Sequence, residues 1–395
     1  MQQECPVLPC PQTRSAPQRI AWVTPEYPPH RGGVSDHSHE MVKVLRSAGH
    51  DVLVYSRPHE TGFDRLDAEL AAFGPELVVV AYTPLAYAPR TGGIAPAFTV
   101  WSLGLGRRHR CRTLLLSHET SLPLTVHLQK REIKLATLAA VQIAQFVSLA
   151  TSFDLVLFSV ARTQRAWARH LPGLAKRSRT IRICSNIPYH ASEDPESELT
   201  TDGFSVPRPT VLFFGTGHPS VLFDFVEEAF VAILESEPNA GLVIIGISPE
   251  KLRRLRPSLL DLGNRVQALG YLPTEQISLW LQVATLVLAP LIEGVSARKG
   301  TVMAALQHGR TVVTTRGVHT LEDIAWSEIC LLTELDRKAF AAESVRALHD
   351  PELRATTGNA ARNEYTAHAS AQVTASMILD YADGLGSKTG THRRT

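Results

Sequence analysis

RIAWVTPEYPPHRGGVSDHSHEMVKVLRSAGHDVLVYS (19–56) reads as a strand, a glycine-bearing loop, a helix and a second strand in one pass. The runs RIAWVT (19–24) and DVLVYS (51–56) are apolar and lack strict alternation. Strands buried on both faces of a parallel sheet read this way. Between them Ser35 is placed to cap a helix running to about Ala48. That helix carries Met41, Val42, Leu45 and Ala48 on one face, and Gly49 follows its end. Gly32 and Gly33 let backbone approach a ligand closely. The helix N-terminus behind them offers unpaired N–H groups and a positive dipole end, suited to phosphate. An ordinary strand-to-helix loop explains the same residues equally well.

The pattern repeats outward. ELVVVAY (76–82), RTLLLS (112–117), DLVLFS (154–159) and TIRIC (180–184) complete a first series. A polar, acidic, proline-punctuated stretch, 191–209, interrupts it and reads as a linker or long surface loop. A second series follows: TVLFFG (210–215), GLVIIG (241–246), NRVQALG (264–270), ATLVLAP (284–290), TVVTT (311–315) and EICLL (328–332). Helices are expected at 221–235, 249–260, 274–283, 300–308 and 337–348. Two alternating series mean an α/β chain of two doubly wound, Rossmann-like parallel-sheet domains. The expected division is a disordered lead-in at 1–18, a first domain at 19–190, the linker at 191–209 and a second domain at 210–365. A C-terminal helix at 366–385 returns to the first domain, and 386–395 is a disordered tail.

Composition narrows the function classes. The 395 residues carry 40 Lys+Arg against 38 Asp+Glu, a net charge of +2, which leaves no electrostatic footprint for nucleic acid. The five cysteines, Cys5, Cys10, Cys111, Cys184 and Cys330, are scattered and form no C-x-x-C pair. That argues for a reducing compartment and against a structural zinc site. The proline-rich start has no apolar run and does not read as a signal peptide. The uncharged stretch LATLAAVQIAQFVSLATSF (135–153) is near membrane-spanning length, but Gln142, Gln145 and several hydroxyls interrupt it. A buried helix is the leading reading, with a membrane-surface helix and a true span as alternatives.

In parallel α/β sheets ligands bind beyond the C-terminal ends of the strands. Four loops there carry chemistry. The first holds Gly32 and Gly33. In the second, His118 and Glu119 follow RTLLLS, where a histidine can bond a sugar hydroxyl, move a proton or serve structure alone. In the third, Gly215 ends TVLFFG and Thr216 and Gly217 follow, with His218 adjacent. The fourth is richest: Glu293, Gly294, Val295, Ser296, Ala297, Arg298 and Lys299 precede a helix starting near Gly300. An acid, a glycine, a hydroxyl and two cations at a helix N-terminus suit a diphosphate beside a polyol. Solvated surface charge is the bland reading of Arg298 and Lys299.

Other motifs fail. Gly104-Leu105-Gly106 lacks the third glycine of a dinucleotide fingerprint, and no G-x-x-x-x-G-K-[ST] loop occurs. His39-Glu40 and His118-Glu119 lack the second histidine of a zinc helix. There is no G-x-S-x-G and no D-x-D. No metal site is expected.

Taken in order, these residues resemble the GT-B glycosyltransferases, specifically the retaining family 4 type, from about Arg19 to about Ala382. The likeness rests on Gly32-Gly33-Val34-Ser35, Arg46 to Val52, Tyr82-Thr83-Pro84-Leu85 with Gly92-Gly93, His118-Glu119 and Ser185-Asn186-Ile187-Pro188. In the second half it rests on Phe214-Gly215 with His218-Pro219-Ser220, Gly270-Tyr271-Leu272, Gly294 to Arg298, Ala304-Ala305-Leu306 and His308-Gly309. The resemblance implies two domains facing a cleft and sugar transfer from a nucleotide-diphosphate sugar, a UDP- or GDP-sugar, to an acceptor hydroxyl. Transfer would retain the anomeric configuration and need no metal or other cofactor. It further implies His118 at the donor sugar, with Glu293 and Arg298 as its catalytic companions, and Gly32 and Gly33 near diphosphate and acceptor. Gly215, Thr216, Gly294, Val295, Ser296 and Lys299 would line the donor site, with Tyr271 and Leu272 near the base. The acceptor is a small molecule, a glycan or a lipid-linked glycan. A cytoplasmic location follows, with peripheral contact at the inner membrane surface if the 133–153 helix seeks one.

Two departures from the family stand out. The usual pair of glutamates eight positions apart becomes Glu293 with Thr301, or Ser296 with Ala304. The usual lysine after His218-Pro219-Ser220 is Val221, and the arginine before it is missing. Arg298 and Lys299 are placed to restore that charge. The alternatives are a catalytically silent GT-B subunit that binds a partner glycosyltransferase, and another sugar-nucleotide enzyme such as an epimerase.

Overall fold

The computed structural model describes residues 16–30, 32–122, 124–320 and 324–385. The lead-in through residue 15, Cys5 and Cys10 with it, Arg31 and the tail at 386–395 lie outside the described residues.

Two six-stranded sheets form, and every pairing in both is parallel. The first contains β1 (Arg19–Thr24), β2 (Asp51–Ser56), β3 (Leu77–Tyr82), β4 (Arg112–Ser117), β5 (Leu155–Phe158) and β6 (Ser178–Thr180), in the order β2-β1-β3-β4-β5-β6. The second contains β7 (Thr210–Phe214), β8 (Gly241–Ile245), β9 (Val266–Gly270), β10 (Leu286–Ala289), β11 (Val312–Thr315) and β12 (Leu331–Thr333), in the order β12-β11-β10-β7-β8-β9. The chain divides into two compact units. One runs to Arg182 and resumes at Ala371; the other is Ile183–Ser370.

The unbroken apolar runs are explained by burial on both faces. In β7, Val211 and Phe213 enter one core cluster and Leu212 the opposite one; in β8, Leu242 and Ile244 part from Val243 and Ile245 in the same way. Alternate side chains of a strand point to opposite faces, so helices on both sides demand apolar residues throughout. In the first unit Val78, Val80 and Tyr82 share a cluster with Leu115, Val156 and Phe158. Each such side chain, once buried, contributes on the order of 1.5–3 kcal/mol.

Several boundaries differ from expectation. β6 ends at Thr180, where TIRIC was expected to begin its strand, because pairing with β5 stops at Phe158–Thr180. Trp326–Ile329 forms a helical turn ahead of β12, so EICLL is only half strand. Pro257 divides the helix expected at 249–260 into Pro249–Leu255 and Pro257–Leu260, since proline has no N–H to continue the ladder. Residues 183–190, read as first domain, belong to the second unit. The stretch 191–209 is also no plain loop. Asp194 caps a helix, Pro195–Thr201, through the Ser197 N–H, and Leu199 is fully buried in the second unit's core. The expected helix at 366–385 is divided too. Residues to His368 end a helix of the second unit, and Ala371–Asp383 forms a separate helix in the first. There it packs on the Gly33–Ser47 helix, and Asp383 meets Arg112 at 2.6 Å.

Ser35 is not the cap of the Gly33–Ser47 helix. The helix begins two residues earlier, and the Ser35 hydroxyl donates to the His30 carbonyl at 2.6 Å. Met41, Val42 and Leu45 are buried as expected, while Ala48 is exposed beyond the last turn.

Ile133–Ser152 is long and apolar enough to cross a membrane by length and composition, with 39% of its apolar window buried. Its glutamines point inward. Gln142 accepts from the Leu122 N–H and donates to the Gly92 carbonyl; Gln145 accepts from the Ala95 N–H and donates to Tyr82 and the Gly93 carbonyl. These bonds satisfy loop groups that would otherwise be buried unpaired. Ile133, Leu135 and Val141 of this helix are exposed.

Candidate functional site

In the second sheet the chain runs from β7 to β8 on one side, and β10 lies on the other side of β7. In parallel sheets the strand ends at such a reversal are the usual place for a ligand. The loops after β7 and β10 follow these ends and are tied together. The Ile292 N–H donates to the Ser220 carbonyl at 2.9 Å, the Leu222 N–H to the Pro290 carbonyl at 3.1 Å, and Val221 bridges Leu291.

Gly215 is buried at the end of β7, while Thr216 is exposed and its carbonyl accepts from Lys251 at 2.6 Å. His218 Nδ1 accepts the Ser220 N–H at 3.1 Å and lies 2.8 Å from the Ser220 hydroxyl. That bond places any ring proton of the neutral form on Nε2. The Ser220 hydroxyl is also 3.3 Å from Lys299 Nζ. Lys299 thus reaches toward the loop where the expected lysine is Val221.

The loop after β10 gathers charge. Glu293 Oε2 lies 3.2 Å from an Arg298 nitrogen, 3.7 Å from Lys299 Nζ and 3.5 Å from His319 Nδ1. Burial raises the Glu293 carboxyl, but Lys299, His319 and Arg298 outweigh it, so the group is held below its ordinary value. The helix Gly300–Gln307 begins just behind, with the Met303 N–H donating to the Lys299 carbonyl. Arg298 and Glu293 are therefore brought together, with Lys299 beside them.

The remaining residues expected at this site separate by depth. Gly294 has φ +79° and its backbone lies against Gly317. Val295 is buried in the core at 0% exposure, and its N–H donates to the Thr315 carbonyl at 3.1 Å. Ser296 is buried, and its hydroxyl has no protein partner. Tyr271 is 66% exposed, whereas Leu272 packs partly on the core. Thr301 is half-buried at the start of the helix, while Ala304 is fully buried within it. Of the two registers for the absent glutamate, the one pairing Glu293 with Thr301 keeps both positions out of the core. His308 is structural: its Nδ1 donates to the Ala304 carbonyl at 2.7 Å and its Nε2 meets the Ser278 hydroxyl at 2.7 Å. Burial pushes it down to about 4.

The first sheet reverses between β1 and β3. The Gly32–Gly33 loop follows β1, and the Gly32 carbonyl accepts the Asp36 N–H at 2.9 Å. His118 follows β4, held by its N–H to the Tyr82 carbonyl at 3.0 Å and by the Ser159 hydroxyl on its own carbonyl at 3.2 Å. Its Nε2 is buried without a protein partner, and burial pushes the imidazole down to about 4. The ring is therefore neutral at pH 7. Among the described residues no group of three or more His, Cys, Asp or Glu is placed to hold a metal ion.

Three residues escaped the sequence reading. His319 follows β11, so the rule that loops beyond strand ends carry ligands would have included it. Ser220 was quoted without a role, and its contact with Lys299 needs the fold. His37 lies at i−4 and i−8 from Met41 and Leu45, a spacing that puts it on the helix's buried stripe.

Residues 208–350 match the family model described as Glycosyl transferases group 1. Comparison with curated protein sequences gave no match. Among solved structures, sucrose-phosphate synthase from Thermosynechococcus elongatus superposes with TM-score 0.66 at 17% identity, over 93% of this chain and 99% of that one. Anabaena HepE in complex with UDP and glucose gives 0.64 at 15%, over 93% and 100%. WaaG, a glycosyltransferase involved in lipopolysaccharide biosynthesis, gives 0.63 at 15%, over 93% and 99%. At these identities the likeness shows the fold. The chain has the two-domain GT-B architecture, and its residues 208–350 are similar to the glycosyl transferases group 1 domain.

Proposed function

We propose that this protein transfers a sugar from a nucleotide-diphosphate sugar to an acceptor hydroxyl, retaining the anomeric configuration and without a metal. The observation that carries the reading is the convergence of Arg298, Lys299 and His319 on Glu293 beside the N-terminus of the Gly300–Gln307 helix. Fixed cations and N–H groups at that point suit a diphosphate that gains charge as it leaves.

The proposed step breaks the bond from the anomeric carbon to the diphosphate oxygen. A bond from that carbon to the acceptor oxygen forms on the same face. The acceptor proton passes to the leaving phosphate, so no side-chain base is required. Arg298 and Lys299 balance the growing charge, and Glu293 orients both cations and then a sugar hydroxyl. Gly215, Thr216, Gly294, Ser296 and the Val295 backbone line the donor, and Tyr271 and Leu272 flank the base. His118 contacts the donor sugar as a neutral ring, and Gly32 and Gly33 approach with backbone alone. The HepE structures holding UDP and UDP-glucose support a uridine donor first, with a guanosine donor next. A cytoplasmic location with peripheral contact at the inner membrane surface completes the proposal, and the exposed Ile133, Leu135 and Val141 support the membrane contact alone.

A thermal-shift series with UDP, GDP, dTDP, ADP and CDP tests the reading. A ligand that binds only the folded chain raises its stability by about 2.7 kcal/mol at one hundred times its dissociation constant. A selective rise with one diphosphate is expected, followed by loss of the matching sugar nucleotide in the presence of an acceptor mixture. No rise with any of the five, from folded protein, would favour a silent subunit.

A further inference from the structure

We propose that His37 is a positioning residue for His118, setting its ring plane through an edge-to-face contact. This rests on the reading of the chain as a glycosyltransferase that uses His118. The two rings lie 5.2 Å apart between centroids and 80° apart in plane. Aromatic pairs favour this arrangement, which holds one ring plane against the other. His37 is 1% exposed, within the Gly33–Ser47 helix, so its own ring is gripped by the core.

The contact joins two separate site elements of the first unit. His37 belongs to the helix that Gly32 and Gly33 open; His118 belongs to the loop after β4. Backbone bonds fix where His118 starts, through Tyr82 and Ser159. They leave its side-chain torsions open, and the flat ring of His37 restricts them. Neither nitrogen of His37 has a protein partner, and neither does His118 Nε2. What His37 supplies to His118 is therefore the ring and not a hydrogen bond. Thr83, one residue beyond the carbonyl that holds His118, also has a buried hydroxyl without a protein partner. Several unpaired polar atoms thus collect at one end of the first sheet. Buried polar groups are normally paired, and exceptions call for a functional account.

Three variants separate ring, volume and polarity: His37→Ala, His37→Gln and His37→Phe in the full chain. Each is examined by its melting temperature, its kcat and KM for the sugar nucleotide, and the ring resonances of labelled His118, assigned from their loss in His118→Ala. His37→Ala and His37→Gln are expected to lower kcat by about tenfold or more, the scale of a small misplacement, with KM little changed. The His118 resonances should shift in both. His37→Phe, which keeps a ring, should recover most of the loss. Unchanged kcat and unchanged His118 resonances in folded His37→Ala would overturn the proposal, as would His37→Phe behaving like His37→Ala. If the unaltered chain consumes no sugar nucleotide, the glycosyltransferase reading fails while the resonances still decide the contact. If His118→Ala abolishes turnover and His37→Ala does not change it, only the proposal fails.

Discussion

The backbones of Gly294 and Gly317 pass too close for either to carry a side chain. A Cβ on Gly294 would fall 2.3 Å from the Gly317 nitrogen, and one on Gly317 would fall 2.4 Å from the Glu293 carbonyl carbon. The His319 N–H then donates to the Glu293 carbonyl at 2.8 Å, and the Val295 N–H to the Thr315 carbonyl at 3.1 Å. This contact is what sets His319 beside Glu293. Gly294→Ala is expected to destabilise the chain by about 3 kcal/mol or more, from a left-handed φ together with the clash. Gly263→Ala, with φ +63° but open space, supplies the control and should cost about 1 kcal/mol. Equal melting temperatures for the two variants would remove the close approach as a constraint.

Arg298→Ala should lose about 2–4 kcal/mol of transition-state stabilisation, the scale seen for removing one preorganised donor. Turnover unchanged in this variant would sink its assignment. Glu293→Gln should act in two directions at once. It releases Arg298 and Lys299 from their carboxylate, so bare nucleotide diphosphate should bind more tightly by calorimetry, while turnover falls. Weaker binding of the diphosphate would mean that Glu293 does not compete for those cations.

His118 and His308 are both pushed down to about 4 by burial, and His37 is pushed well below its ordinary value. The folded chain keeps these rings neutral, while the unfolded chain protonates them below about 6.5. Stability is therefore full above about 6.5 and falls as pH drops toward 4, by up to about 1.4 kcal/mol per pH unit for each ring. Urea midpoints measured from pH 7 to pH 4.5 should show this slope, and His118→Gln should reduce it. A flat profile would place these rings in contact with water.

His118→Ala should lower turnover without lowering the melting temperature. The reason is the buried Nε2 with no protein partner, a group that costs stability where it stands. A parallel loss of both turnover and melting temperature would make His118 a structural residue.

Leu135→Asp and Val141→Asp should abolish co-sedimentation with vesicles rich in anionic lipid while leaving the fold intact. Both side chains are exposed on the Ile133–Ser152 helix, Leu135 in its first turn and Val141 farther along. Absence of vesicle binding by the unaltered chain would remove membrane contact from the proposed function.

Eleven of the twelve strands were legible as apolar runs, because burial on both faces leaves little room for polar residues in β7, β8 or their neighbours. The exception is β6, Ser178–Thr180, since the run TIRIC meets it only at Thr180. Helix starts were less legible. Ser35 looked like a cap, yet its hydroxyl went to His30, and Gly33 opened the helix. The stretch 191–209 looked like a linker because only Leu199 and its neighbours reveal that it is packed.

The site divides along the same line. Residue types along the chain determined that an acid, two cations and a hydroxyl would precede the Gly300–Gln307 helix, since these are local facts of one loop. Tertiary structure alone decided that His319 joins them, that Lys299 reaches Ser220 and that His37 lies against His118. Each of those contacts joins residues from different strand ends. Parallel pairing brings such ends together in an order, β10 between β7 and β11 and β3 between β1 and β4, that the chain does not spell out.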